Sequence, residues 1–323
     1  MRKSLSAAAG AMLVLLLPCH ARAQHATQVV LDNDSFNFWQ PPKRRADREY
    51  TQGTRVSVLI PTSGGFVARL LGGPNLCHAQ AGARDCRMLS FSVTQGIYTP
   101  TLNVERRLPG ERPYAGWLGG EVGAIRERRH GMTAFALELG VTGEASLAAP
   151  AQKAIHRLLG FPEPQGWDAQ LPSEVAFLAS WRGAAELLHL EVPQSGLRLR
   201  AAPLWSVRAG TAATDATLGL QLTLGVNAPP AWQGATNLNG DRWGLFIRTG
   251  AQQTVVGRNL FLDGSTFGNS VSVRKMRSVA ETQAGLGART PYGMLEWQVH
   301  SRAREYQMQP RAHAYSTLSF SLR

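Results

Sequence analysis

Cysteine is scarce in this 323-residue chain, with only Cys19, Cys77 and Cys86. So few exclude a disulfide-built scaffold, and two late cysteines without a histidine pattern favour neither a metal site nor a catalytic thiol. Long apolar runs are missing as well. One stretch, Ala7 to Pro18, is apolar but too short for a permanent span, and no later segment approaches 18 consecutive apolar residues, which excludes a helical membrane protein. Acidic residues are in deficit, 22 against 34 basic ones, for a formal charge of +12. Internal repeats, low-complexity segments and linkers are absent, leaving a single domain.

The chain begins MRKSLSAAAGAMLVLLLPCHARAQ. Arg2 and Lys3 precede the apolar run, and Ala21-Arg22-Ala23 follows it, the layout of a secretory signal peptide over residues 1–23. Cys19 would suit lipoprotein processing, but Pro18 fits that signal poorly and Ala23 is the better cleavage point. Loss of Arg2, Lys3 and Arg22 lowers the charge by three, to +9. A basic exported protein is matched to anionic lipid or polysaccharide, with no nucleic acid expected as partner. Export to an oxidising compartment also favours a local disulfide between Cys77 and Cys86.

Period-two alternation dominates the remaining residues, 24–323. In TLGLQLTLGVN, Leu218, Leu220, Leu222, Leu224 and Val226 share one face, opposite Thr217, Gly219, Gln221, Thr223 and Gly225. The pattern returns in YTQGTRVSVLI, MLSFSVTQGIY, MTAFALELGVT, EVAFLASW, LRLRAAPLWSVRAG, RWGLFIRTGAQ, GMLEWQVHSR and AYSTLSFSLR. Weaker versions cover Val29 to Phe36, Tyr114 to Ile125 and Val273 to Ala288, which makes twelve strands. A soluble sandwich shows similar alternation, so the polar face decides. It carries Arg55, Glu138, Arg198, Arg200, Arg208, Arg248, Glu296, His300 and Arg302 among small polar residues, while Trp and Tyr gather near strand ends. A polar inside with an apolar outside is the mark of an all-β transmembrane antiparallel up-and-down barrel of the outer membrane.

With both termini on the periplasmic side, the connections after odd-numbered strands face outward. The third of these holds AAPAQKAIHRLLG, Ala148 to Gly160. Pro150 near its start and Gly160 at its end predict a short helix, on which Gln152 and His156 share a face. Asn33, Asp34, Tyr50, Thr51, Gln95, Tyr98, Arg112, Gln152, His156, Trp167, Asp168, Gln170 and Glu174 then fall at the outer rim of the first six strands, with little comparable from the later ones. Histidine titrates near neutrality, suiting His156 to remove a proton from water with Gln152 orienting it. Asp34 offers a hard oxygen of the kind calcium accepts, and the Asn33 amide and Thr51 hydroxyl are donors for an oxyanion. Each signal has a plainer reading: a solvated surface histidine, an Asx turn at DND, and in ERPYAGW a girdle of Tyr114 and Trp117 with a snorkelling arginine.

The order NDSF, DREYTQGTRVS, QGIYTP, ERPYAGW, QKAIHRLLG, GWDAQLPSE, FLDGSTFGNS and RAREYQMQP closely resembles the lipid A 3′-O-deacylases, the LpxR-like proteins. The resemblance implies a twelve-stranded outer-membrane barrel and calcium-dependent hydrolysis of the ester holding the 3′ acyloxyacyl group of lipid A in the outer leaflet. It implies His156 as general base positioned by Gln152, Asn33 and Asp34 as oxyanion and metal-binding pair, and Thr51 as a site threonine. Tyr98, Arg106, Arg107 and Arg112 are the matching substrate-binding candidates. Where the family has a site lysine, after YTP, this chain has TLNVERRLPG, with Arg106 or Arg107 in its place. It also ends in Leu322-Arg323, with Phe320 standing in for the terminal aromatic of such barrels. A phospholipase-type esterase using the same site, or a non-catalytic pore or adhesin, are the competing functions.

Overall fold

Alternating apolar and polar residues give each strand two unlike faces, and a sheet of such strands leaves no open edge only if it closes on itself. The computed structural model describes residues 26–34, 48–62, 85–100, 109–232 and 243–322. Its strands are β1 (Ala26–Asn33), β2 (Glu49–Pro61), β3 (Asp85–Thr99), β4 (Ala115–Arg128), β5 (Gly131–Thr142), β6 (Val175–Ala185) and β7 (Leu188–Val192). They continue with β8 (Leu197–Gly210), β9 (Ala213–Val226), β10 (Gly244–Asn259), β11 (Ser278–Thr290), β12 (Gly293–Arg302) and β13 (His313–Leu322). Every neighbouring pair is antiparallel, and β1 meets β13 from Thr27 opposite Leu322 to Asn33 opposite Ser316, which closes the wall.

Thirteen segments make twelve staves. Both β6 and β7 pair with β8, end to end: Leu178–Ala184 face 204–210, and Leu188–Val192 face 197–201. Between them Glu186 N–H donates to the His130 carbonyl and Leu187 N–H to the Ala201 carbonyl, so the interruption leaves both backbone groups satisfied. Some boundaries move relative to the sequence pattern. The first strand begins at Ala26 and ends at Asn33, and β11 starts at Ser278, not Val273. Cys86 lies inside β3 and is disulfide-bonded, while Cys77 and residues 1–23 lie outside the described residues.

The outer surface is apolar, carried by residues such as Val93, Phe135, Leu139 at 62% exposure, Phe177 and Leu218. Trp243 and Tyr292 stand exposed at the rim that carries the termini. Tyr114 and Trp117, by contrast, do not form a girdle. Tyr114 is 2% exposed and packs on Trp167 with ring centroids 4.9 Å apart, and Trp117 donates to Glu138 Oε1 at 2.8 Å. Inside, Arg55 pairs with Glu121, Arg248 with Glu296 at 2.7 Å, and Arg302 with Glu281 at 2.5 Å. A charge taken out of bulk water needs such a partner; the first two pairs each reach past one intervening stave, and the third joins adjacent staves. Among the described residues no helix is long and apolar enough to cross a membrane.

At the rim away from the termini, the β5–β6 connection forms helix α1 (Ala148–Leu159). It seats on β3 and β4 because Gly116 leaves room. A Cβ there would lie 2.0 Å from Ser146 Oγ and 2.4 Å from the Ala148 Cβ. Gly116→Val should therefore push the start of α1 off the wall, at about 1–3 kcal/mol of overpacking, while the barrel itself stays closed. Hydrogen exchange checks this: faster exchange confined to the α1 amides is expected, and unchanged α1 protection would show that the helix is not seated on Gly116.

Candidate active site

Two parts of the chain bring the candidate chemistry to this rim. The first is the end of β1. Asp32 faces the lumen and is held from both sides, Tyr50 Oη donating to Oδ2 and Thr317 Oγ1 to Oδ1, each at 2.6 Å. Thus anchored, the strand delivers Asn33 and then Asp34, which is 3% exposed and accepts the Arg48 amide on Oδ2 at 3.0 Å. That bond joins the two ends of the β1–β2 connection. Next to it β2 starts irregularly. Glu49 has φ 62°, and the β2–β3 register shifts between Tyr50 and Gln52, so Thr51 sits at a bulge. Bulges at barrel rims re-aim side chains, and Thr51 Oγ1 here meets Thr99 Oγ1 at 2.7 Å.

The second part is α1. A cluster of Ile97, Tyr114, Ala148 and Trp167 roots it to the wall. Trp167 Nε1 donates to Gln152 Oε1 at 2.8 Å, which fixes the amide orientation because an indole N–H only donates. Gly160 ends the helix at φ 72°, with Gly160 N–H on the Arg157 carbonyl and Phe161 N–H on the His156 carbonyl at 2.8 Å. This left-handed turn folds the chain back, and the Pro162 carbonyl arrives 2.5 Å from His156 Nδ1. A carbonyl only accepts, so Nδ1 carries the proton, and in the neutral ring the lone pair lies on Nε2. His156 is 7% exposed, with Phe161 edge-on at 5.8 Å between ring centroids.

Tyr98 and Arg112 lie in the wall of the same mouth. Arg112 has 0% exposure; Nη1 sits 3.4 Å from Glu49 and 3.3 Å from Glu305, and the guanidinium lies 4.8 Å over the Tyr98 ring. Tyr98 in turn stacks on Phe261 at 4.3 Å, and Tyr306 Oη donates to Glu49 Oε1 at 2.9 Å. Arg112 therefore ties loops together and is enclosed by them; Tyr98 keeps partial exposure. Arg106 and Arg107 lie outside the described residues. The later strands contribute heavily to this rim, against the sequence expectation. Glu305, Tyr306, His313 and Tyr315 all belong to it, and His313 Nε2 donates to the Tyr50 carbonyl at 3.0 Å. The RAREYQMQP stretch was the available signal for Glu305 and Tyr306, and FLDGSTFGNS for Phe261; nothing local marked Pro162 as a neighbour of the mouth.

A family model described as outer membrane protein LpxR matches residues 7–323. The chain belongs to the LpxR outer-membrane protein family. Among solved structures, LpxR from Salmonella typhimurium superposes with a TM-score of 0.73 at 17% identity, covering 92% of this chain and 99% of that one. At that identity the likeness speaks for the fold. The beta domain of the Bordetella autotransporter BrkA reaches 0.46 at 11% identity, covering 92% and 98%. Among curated proteins none matches by sequence.

Glu174 also ties the mouth. Just before β6, it accepts Ser265 Oγ, Thr266 Oγ1 at 2.8 Å and Thr266 N–H at 2.9 Å. Burial pushes its carboxyl up, but the Ser265 and Thr266 hydrogen bonds and the Arg258 charge outweigh burial and hold it below the usual carboxylate range. A carboxylate with a lowered folded pKa stabilises the fold above its unfolded pKa, about 4.3. That contribution is lost as pH falls through the folded value. Acidification from about pH 5 to pH 3 should release the Ser265–Thr266 segment in the native barrel, read as a loss of protection of the Thr266 amide relative to its intrinsic exchange rate at each pH, and Glu174→Gln should make that protection insensitive to pH. Equal pH dependence in both proteins would remove Glu174 from the tie.

Proposed function

We propose that this LpxR-family barrel is a lipid A 3′-O-deacylase whose mouth, opposite the termini, meets the outer leaflet. The observation that carries the reading is the fixed tautomer of His156, a base presented at the same rim as Asn33, Asp34 and Thr51. Water attacks the carbonyl carbon of the 3′ ester while His156 Nε2 takes one of its protons. Charge collects on the carbonyl oxygen, where the Asn33 amide and Thr51 hydroxyl act as donors. Collapse breaks the bond to the sugar oxygen, which receives the proton from Nε2. The products are the free acyloxyacyl acid and a 3′-hydroxyl, with no covalent enzyme intermediate. The Pro162 carbonyl acts throughout by holding Nδ1–H and stabilising the imidazolium that forms.

Asp34 fits calcium in kind, as a hard carboxylate oxygen. The described residues hold no group of three or more His, Cys, Asp or Glu side chains around it, so main-chain carbonyls, water and substrate oxygens would complete a shell. Calcium bound at Asp34 would polarise the ester carbonyl as a Lewis acid. Arg106 and Arg107 are suited by charge to the anionic groups of lipopolysaccharide, a role their planar guanidinium performs with different geometry from a lysine. Tyr98 and Arg112 shape the wall of the mouth. The ion pairs that line the lumen support an enzyme over a pore.

Mass spectrometry of lipid A from cells making the protein should show loss of the 3′ acyloxyacyl unit. His156→Ala should insert and fold yet lower that conversion by at least about a hundredfold, and chelation of calcium should abolish it. Intact lipid A from cells with folded wild-type protein and calcium present would sink the proposal, and hydrolysed phospholipid in its place would reassign the substrate. Full activity of His156→Ala would reassign the base.

A further inference from the structure

The mouth and its chemistry leave the other half of the lumen unused. There, toward the rim that carries the termini, the barrel encloses a cavity of about 440 Å³. Its floor is Ala231 and Trp232, brought inside by the β9–β10 connection, where the Pro230 carbonyl accepts Arg248 Nη2 at 3.5 Å. The size falls in the range of small-molecule pockets.

Arg182 and Trp232 each bring to this chamber a donor that has no acceptor among the described residues. Arg182 on β6 faces inward, accessible from the lumen, and makes no hydrogen bond or ion pair among the described residues. Its charged neighbours Arg55 and Glu121 are paired with each other. One step along the same face of β6 is Ala184, on which Trp232 packs together with Ala202. Trp232 is 8% exposed, and its Nε1 has no partner. A buried donor left unpaired costs its full desolvation penalty, so such a group calls for an occupant. The carboxylates in the wall do not serve Arg182: Glu296 is held by Arg248, and Glu127 is engaged elsewhere. The lining also holds apolar side chains, Leu59, Ile125, Met132, Leu204 and Met294, with Leu59, Ile125 and Met132 packed in one cluster.

A cation and an indole N–H in one chamber with aliphatic side chains select an anion with a hydrocarbon body. We propose that the chamber is a binding site for an alkyl carboxylate, its head on Arg182 and Trp232 Nε1 and its chain along Ile125, Met132 and Met294. A guanidinium–carboxylate contact shielded from bulk water supplies the specificity, and the aliphatic wall supplies most of the affinity.

Radiolabelled laurate tests this on the full mature protein in nonionic micelles. Saturable binding at about one per chain is expected, unchanged when the micelle concentration is doubled. Lauryl alcohol and inorganic sulfate should fail to displace it. Arg182→Gln should weaken binding by about tenfold or more, and Trp232→Phe should weaken it less while melting at the wild-type temperature. No saturable binding, or equal affinity in Arg182→Gln, would overturn the site, and displacement by sulfate alone would overturn the alkyl part. Native mass spectrometry of protein taken from cells separates the sources. A carboxylic acid on wild type that is missing from His156→Ala traces the ligand to hydrolysis at the mouth, whereas the same acid on both traces it to the membrane.

Discussion

A guanidinium without any solvent exposure, set between two carboxylates from distant parts of the chain, holds the mouth of this barrel together. Arg112 enters from the β3–β4 connection, Glu49 from the start of β2, and Glu305 from the β12–β13 connection. Removing one partner of such a buried group typically costs about 3–5 kcal/mol, because the remaining charges keep their desolvation penalty without its compensation. Glu49 is also the residue that turns the backbone into the left-handed region ahead of the bulge at Thr51. The tie thus fixes the entry to β2, and through it the side chain expected to face the oxyanion.

Much of the remaining irregularity of the fold stands around the same place, with Asn227 at φ 50° and the β6–β7 break lying toward the opposite rim. Twelve staves run with unbroken ladders over most of their length, while Glu49, the Thr51 bulge, the left-handed Leu147 before α1 and Gly160 after it stand at or beside the mouth. Non-glycine residues at positive φ carry a conformational cost of about 1–3 kcal/mol each, and they persist where the surroundings over-determine them. Here the surroundings are the wall strands and the packed cluster beneath α1. Gly160 avoids that cost and lets the chain reverse within two residues, which is the shortest way to bring the Pro162 carbonyl to the ring of His156.

How much of this could be read from sequence depends on the range of the interaction. Leu218 to Val226 announced a strand because each residue meets either lipid or lumen, a condition set locally by the pleat. The helix was legible for the same reason, between Pro150 and Gly160. Val273 to Arg277 looked like strand but became part of a connection, since Lys275 pairs with Asp263 at 2.6 Å and Val273 N–H donates to the Leu262 carbonyl. Alternation is shared by both states, and only tertiary partners separate them. Tyr114 and Trp117 were misplaced in the girdle on similar grounds, as an aromatic at a strand end suits headgroups or a packed interior equally. Arg112 was placed at the right height; its burial follows from Glu305, 193 residues away, a distance no local pattern spans.

Closure of the barrel between its first and last strands has a bearing on timing. Asp32, which anchors the segment carrying Asn33 and Asp34, takes one of its two hydrogen bonds from Thr317, 285 residues later. Its other partner, Tyr50, packs against Tyr315 of the same final strand. The first site residues made are therefore held in place by nearly the last. A chain halted before β13 would have every candidate side chain except those of the closing strand, yet lack the seam that sets them. Such an order keeps the candidate site unassembled until the wall around it is complete.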